Sequence, residues 1–354
     1  MIWTTLNHLI EMGRPIHAMD LTGLDARKRS LTEAVFNQVR LAGACFADCD
    51  LSRAKFIECD LSEADFSNAS ISHAAFVNCN MQHARMNARH MESNCWAECD
   101  LRHSHWEGAH PQASAIINSH LGEAKFNGTW FERMTLQGNQ LDGACLSDAR
   151  LDQSAINPAD MRQVKLDGLR ADGTVFVNAQ FQHQPLAGIA LQRCTLQQAD
   201  FSDADLSRAD LTESNCHQAR FERTCMSGLV APRAMFLAAQ FDHVNLAQAK
   251  LEGAVFQQAR LWNTCFDQAA MQMSIWNKST HCNVSMTGAD LRHSRFEYAS
   301  GEGVDFSGAN LDYSQFHLAV LTNTTYRAAS RKQVGGTDSV RQAAEARTLA
   351  LEKP

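Results

Sequence analysis

Large apolar side chains recur along this chain every fifth residue and never lose phase. Leu51, Phe56, Leu61, Phe66, Ile71 and Phe76 form one run, and Leu141, Leu146, Leu151 and Ile156 another. The same phase carries Leu246, Leu251, Phe256, Leu261 and Phe266, then Phe306, Leu311, Phe316, Leu321 and Tyr326. Of the sixty-two positions in this phase from Leu21 to Tyr326, all but seven hold Leu, Ile, Met, Phe, Trp or Tyr. The exceptions are Ala26, Pro111, Ala171, Cys216, Ala231, His281 and Gly301. Two residues before each centre the side chain is small, as at Ala54, Cys59, Ala64, Ala69, Ala74 and Cys79. The residue just before the centre is often Asp or Asn (Asp50, Asp60, Asp200, Asn310), and the residue after it Ser, Thr, Arg or Asp.

Small-in, polar-out, large-in is a strand alternation, but it lasts three residues before a turn resets it. Neither a helix nor a long flat strand keeps one face at a period of five. The pattern predicts a coil with short flat walls and a turn at every corner. Small residues at one inward position let the wall close over the large residue at the other.

The runs CDLSRAKFIECDLSEADFSNAS and ADFSDADLSRADLTESN resemble the A(D/N)LXX consensus of pentapeptide repeat proteins. The resemblance implies an all-β chain, a right-handed quadrilateral β-helix with four pentapeptides per coil and about fifteen coils. At the ~4.8 Å spacing of paired strands such a solenoid is roughly 70–75 Å long. Three segments are expected: residues 1–19 as an N-terminal cap, 20–326 as the solenoid, and 327–354 as a hinge and helical tail. In the first, Thr4 to Gly13 reads as a short helix with Thr4 or Thr5 as N-cap and Gly13 and Pro15 as its stop. In the last, Gly335 and Gly336 read as a hinge and Thr337 to Lys353 as a helix, either capping the solenoid or free of it. Three stretches depart from the pattern: 89–111, with Arg89 and Asn94 at small positions and Pro111 at a centre; 184–189; and 280–301, with His281 and Gly301 at centres. Local bulging of the wall and a binding notch are the two readings of each.

Composition narrows the function. A net charge of −7 pulls neither toward nucleic acid nor toward anionic lipid. No apolar run reaches the length of a membrane span, and the N-terminal residues do not resemble a secretory signal. Twelve cysteines without paired spacing fit a reducing compartment, so a cytoplasmic location is expected. No phosphate loop, dinucleotide fingerprint, zinc-protease or nucleophile-elbow motif is present. The carboxylates sit in the repeating outward position, as solvated ladder residues. An enzyme is therefore not expected, and neither catalytic residues, a cofactor nor a metal is assigned. Residues twenty apart should stack. Cys59, Cys79 and Cys99 then form an inward ladder, read as small core residues. His83 and His103 should stack near Glu63 and Glu123, and His90 on His110, both as exposed polar ladders.

One outer face is unlike the other three. Beside the centres Phe36, Phe56, Phe76, Trp96 and onward to Phe316 it places Ile57, Val77, Ile117, Val175, Val177, Met235, Leu237, Val255 and Ile275, where the other faces carry Asp, Ser, Arg, Gln and Glu. Lys55, Gln137, Asn157, Asn215 and Asn277 interrupt it. A one-sided apolar stripe marks a surface for a protein partner or for self-association. The expected function is a non-catalytic protein–protein interaction scaffold or adaptor. Long chains that resemble this one stand beside bacterial type VI secretion machinery as accessory or effector-loading proteins. The alternative is a DNA mimic that inhibits DNA gyrase, since quinolone-resistance proteins resemble the fold. Against it, Arg85, Lys125, Arg150, Lys165, Arg170, Arg220, Lys250 and Arg260 mix with the outward acids.

Overall fold

The structure, a computed structural model, describes residues 2–157 and 159–351. Helix α1 (Ile2–Glu11) opens the chain. From Ile16 onward every strand and bridge pairs in parallel with the one twenty residues later, as in Phe36↔Phe56, Asp60↔Asn80, Phe221↔Phe241 and Gln315↔Gly335. The result is a parallel β-solenoid of about fifteen turns, four pentapeptides to a turn, followed by helix α2 (Ser339–Leu351). The chain divides into two compact units, Met1–Ala179 and Gln180–Pro354.

The corner explains the period. After most centres the chain turns, and the residue two positions on has a left-handed backbone: Arg53 at φ 59°, Glu63 at 57°, Arg208 at 55°. Where the turn closes, the next inward N–H bonds back to the centre, as Ala54 N–H does to the Leu51 carbonyl at 2.9 Å. That is a β-turn with positive φ at its third residue. Glycine suits this position, but most corners here are not glycine. Their long side chains point into solvent, and the parallel ladder on both sides holds the backbone in place.

Every centre from Leu21 to Phe296 is buried, while Phe316, Leu321 and Tyr326 at the end are half-buried, and identical rings pile up at strand spacing. Phe36, Phe56 and Phe76 stack with centroids 4.8 and 5.0 Å apart, and Phe46 on Phe66 at 5.1 Å. Rings on adjoining walls meet edge to face, as Phe46 and Phe56 do at 6.0 Å and 74°. Each buried Phe contributes about 1.5–3 kcal/mol by burial, and about 0.5–1.5 kcal/mol more from its ring contacts. Where the centre is Trp106 or Trp276, the small position is Ser104 or Ser274, whose hydroxyl accepts the indole N–H at 2.8 and 2.7 Å.

Regular strands do not fill all four walls. In the first unit an eight-stranded sheet follows the Phe56 wall from Ile16–His17 to Ala155–Asn157, and Trp130–Glu132, Arg150–Asp152 and Arg170–Asp172 lie on the Leu151 wall. In the second unit a six-stranded sheet runs along the Phe241 wall, from Arg220–Glu222 to Val320–Thr322.

Two of the irregular stretches show how the wall adjusts to an ill-fitting residue. Arg89 is too polar to be buried, so the backbone shifts by one residue: Ala88 fills the small inward position and Arg89 is exposed. Asn94 is buried because its amide donates to the Ile71 carbonyl. At His281 and Gly301 the strands lengthen, to Thr280–Ser285 and Ser300–Asp305.

Helix α1 ends as the sequence indicates. Gly13, at φ 61°, donates to the Ile10 carbonyl and Arg14 to that of Leu9, a Schellman closure. The helix begins earlier than expected, which places Thr4 and Thr5 inside it rather than at its cap. Leu6 is completely buried and Arg29 lies 3.9 Å over the Trp3 ring. Helix α2 is capped by Asp338, which accepts the N–H groups of Val340 and Arg341 at 2.9 and 3.0 Å. The expected helix to Lys353 runs beyond the described residues. Gly335 pairs with Gln315 and so belongs to the ladder.

Candidate interaction surfaces

None of the nine apolar residues picked out by the sequence is buried. Val77 and Met235 are exposed, and Ile57, Ile117, Val175, Val177, Leu237, Val255 and Ile275 are half-buried on the outer surface. The register gathers them into groups. In the first unit Ile57 pairs with Val77, Val77 with Ala97 and Ala97 with Ile117, which makes one apolar column. Ala75, Cys95 and Ala115 run beside it. Gln137 and Asn157 continue the column and part it from Val177. Val175 stands next to Ala155.

In the second unit Met235, Val255 and Ile275 form an unbroken column, with Asn215 before it and Arg295 after it. Leu237 adjoins Met235. Sequence reasoning missed the corner beside this column. Met273 is 63% exposed, two residues from Ile275. On its own corner follow His293 and Tyr313, their rings stacked at 4.9 Å, with Tyr313 44% exposed. A large apolar residue at a left-handed corner was the available signal, because most of these corners are polar or glycine.

Four of the outward aspartates each hold an arginine. Asp100 accepts both the backbone N–H of Arg102 and its guanidinium, with Nε 2.8 Å away. Asp25 with Arg27, Asp160 with Arg162 and Asp290 with Arg292 repeat the arrangement. The Arg27 hydrogen bonds hold the Asp25 carboxyl down at about 2. Arg at the position after the centre therefore neutralises the Asp before it.

The predicted ladders divide. Cys59, Cys79 and Cys99 are buried one above another, each thiol donating to a carbonyl two residues back at 3.3–3.4 Å. Burial pushes the Cys49 thiol, on another wall, up to about 12. His83 stacks on His103 at 4.8 Å, with Glu123 3.4 Å from the latter. His110 does not stack on His90. It lies instead on Trp130 at 3.9 Å, with Arg150 over that indole at 4.8 Å. Among the described residues no group of three or more His, Cys, Asp or Glu is placed to hold a metal ion.

Helix α2 packs against the outer wall of the second unit through polar groups. His317 Nδ1 accepts the Asp338 N–H at 3.1 Å, so its Nε2 carries the hydrogen and donates to Glu345 at 3.2 Å. Tyr298 also donates to Glu345, and Arg341 bridges Glu345 and Glu297 at 2.8 and 3.0 Å. An open cavity of about 420 Å³ at the last turn is lined by Phe316, Leu321, Tyr326 and Val334. Among the described residues no helix is long and apolar enough to cross a membrane.

Family comparison agrees with this architecture. The model "Pentapeptide repeat region" matches residues 29–106 and 49–126. The model "Pentapeptide repeats (8 copies)" matches 116–153, 191–228, 236–272 and 285–323. No curated protein matches the sequence. Among solved structures the chain is similar to HetL, a pentapeptide repeat protein involved in heterocyst differentiation regulation in the cyanobacterium Nostoc sp. strain PCC 7120. The identity is 19%, over 72% of this chain and 92% of that one, with a TM-score of 0.26. It is also similar to QnrB1, a plasmid-mediated fluoroquinolone resistance protein, at 15% identity over 73% and 97% of the two chains and a TM-score of 0.23. A pentapeptide repeat protein of the Arabidopsis thaliana thylakoid lumen matches at 25% identity over 27% and 68%, with a TM-score of 0.18. With the five-residue register kept from Leu21 to Tyr326, and the two family models together matching more than half of the sequence, the chain belongs to the pentapeptide repeat family.

Proposed function

We propose that this protein is a non-catalytic scaffold that binds a protein partner through the apolar columns of its outer wall. The observation that carries the reading is the Met235–Val255–Ile275 column with Met273 at its edge. Methionine is flexible and polarisable, and suits a surface that must fit another side-chain relief. The Ile57–Val77–Ala97–Ile117 column of the first unit is a second surface of the same kind. The family resemblance supports a partner drawn from type VI secretion machinery, with this chain as accessory or effector-loading protein. The DNA-mimic reading is less favoured, because arginines stand among the outward acids and Asp25, Asp100, Asp160 and Asp290 each hold one.

The test is capture of secretion components by the purified protein, beside Val255→Asp/Met273→Asp and Val77→Asp/Ile117→Asp variants. All four positions lie on the outside, so melting temperatures should stay close to that of the unaltered protein. Loss of capture in one variant identifies the working column. Capture unchanged in both would end the reading. Capture of gyrase by all three forms would put the DNA mimic in its place.

A further inference from the structure

Two outward tryptophans in this fold are treated differently. Trp130 is covered on both sides, by the His110 ring and the Arg150 guanidinium, and its indole N–H is bound by Asp152 at 2.9 Å. Trp262, on the six-stranded sheet of the second unit, is 36% exposed and has no ring or cation against it among the described residues. An outward indole left bare offers a large flat face for a ligand.

The surroundings of Trp262 define what that ligand is. Glu222, Asp242 and Trp262 stand in one column, and Arg220, Gln240 and Arg260 in the column two residues away. Glu222 is held by Arg220 and Arg223, and Asp242 by His243 Nδ1 at 2.8 Å, with Asn263 donating to the other ring nitrogen at 3.3 Å. These bonds fix the carboxylates yet leave them oxygen lone pairs for further hydrogen-bond donors. A depression of about 450 Å³ runs past Glu222, Asp242 and Trp262. It meets a second, of about 780 Å³, at Gln240; this one is bordered by Arg260, Lys278 and a row of glutamines. Arg260 and Lys278 pair with no carboxylate among the described residues. Both depressions are of the size that takes small ligands.

The site therefore combines a bare aromatic face, fixed acceptors on one side and two uncompensated cations on the other. We propose that it binds an acidic oligosaccharide. A sugar ring would lay its C–H face on Trp262, give hydroxyl hydrogens to Glu222 and Asp242, and set a carboxylate or sulfate against Arg260 and Lys278. A nucleic acid strand would also stack on Trp262. Its bases and phosphodiesters lack the ring of hydroxyl donors that the two carboxylates call for, so the sugar is the better match.

The experiment titrates the purified full chain with trigalacturonate, a chondroitin sulfate disaccharide, cellotriose and an oligothymidylate, followed by calorimetry and tryptophan fluorescence. Saturable binding of an acidic sugar is expected, with cellotriose about tenfold or more weaker. Trp262→Ala should weaken binding about tenfold and remove the fluorescence change. Arg260→Gln/Lys278→Gln should erase the preference for acidic over neutral sugar. Absence of saturable binding by every sugar, or binding untouched by Trp262→Ala, overturns the proposal. Tighter binding of the oligothymidylate would make this a single-strand site and overturn it equally. These residues lie outside the apolar columns, so the outcome is independent of the protein-partner test.

Discussion

Replacing His281 by leucine should remove a specific acid sensitivity from the second unit. His281 occupies a core centre with 1% of its surface exposed. Ser279 Oγ donates to the Trp276 carbonyl at 2.5 Å, so it can only accept from the imidazole, whose Nε2 lies 2.7 Å away. The hydrogen is then on Nε2, and Nδ1 is a buried acceptor without a partner. An orphaned acceptor costs about 1–3 kcal/mol. Burial also pushes the ring down from 6.5 to about 4. The folded ring stays neutral in that window while the unfolded ring takes up a proton. Stability is therefore complete above pH 6.5 and falls as pH drops toward 4, by about 3 kcal/mol at about 1.4 kcal/mol per pH unit. His281→Leu keeps an apolar side chain at the centre, as in Leu261 one turn earlier, and leaves Ser279 bonded to Trp276. At pH 7 the variant should match or exceed the unaltered protein by about 1–2 kcal/mol. Solenoid turns open locally, so the assay is amide exchange protection in Thr280–Ser285 and Ser300–Asp305 at pH 7 and pH 4. Other acids titrate alike in both forms, and the difference between them isolates His281. Parallel loss of protection in the two proteins would refute the reasoning.

Two further outcomes follow from neighbouring features. The five-residue period asks for a large apolar residue at Gly301, yet a Cβ there would lie 2.0 Å from the His281 carbonyl oxygen, and φ is +151°. Gly301→Leu and Gly301→Ala should each destabilise by about 3 kcal/mol or more through strain and broken ladder bonds; unchanged melting of either contradicts this geometry. Helix α2 should detach in acid. Hydrogen bonds from Tyr298 and His317 hold the Glu345 carboxyl at about 2 instead of 4.5, so its contribution is full above pH 4.5 and is lost as pH falls through 2. Exchange protection in α2 should drop across that range, and Glu345→Gln should show the drop already at pH 7; a helix equally protected in the variant would show that other contacts hold it.

The solenoid was legible because its signal is local and repeated. Phe36, Phe56 and Phe76 announce a buried centre whatever lies around them, and Ala54 or Cys59 announces the small inward position. The four-wall turn, and so the stacking of His83 on His103, then follows by counting twenty. The sequence also showed which wall is apolar, through Ile57, Val77 and Val255. It did not show which wall becomes strand, because that depends on whether a corner closes by a bond such as Ala54 to Leu51 or turns without one, as it does after Phe56. The period placed Arg89 inward, but the cost of burying a guanidinium shifted the backbone and put Ala88 there. Met273 reads as one more residue off the phase until the left-handed corner aims it at solvent beside Ile275. Trp130 and Trp262 are equivalent in sequence, each flanking a centre. Their difference comes from the residues twenty positions to either side, His110 and Arg150 in one case, Asp242 and Cys282 in the other. Burial of a repeating centre is a property of five residues, which a sequence displays directly. Exposure of an outward side chain is set by its neighbours on adjacent turns, and only the folded register brings those together.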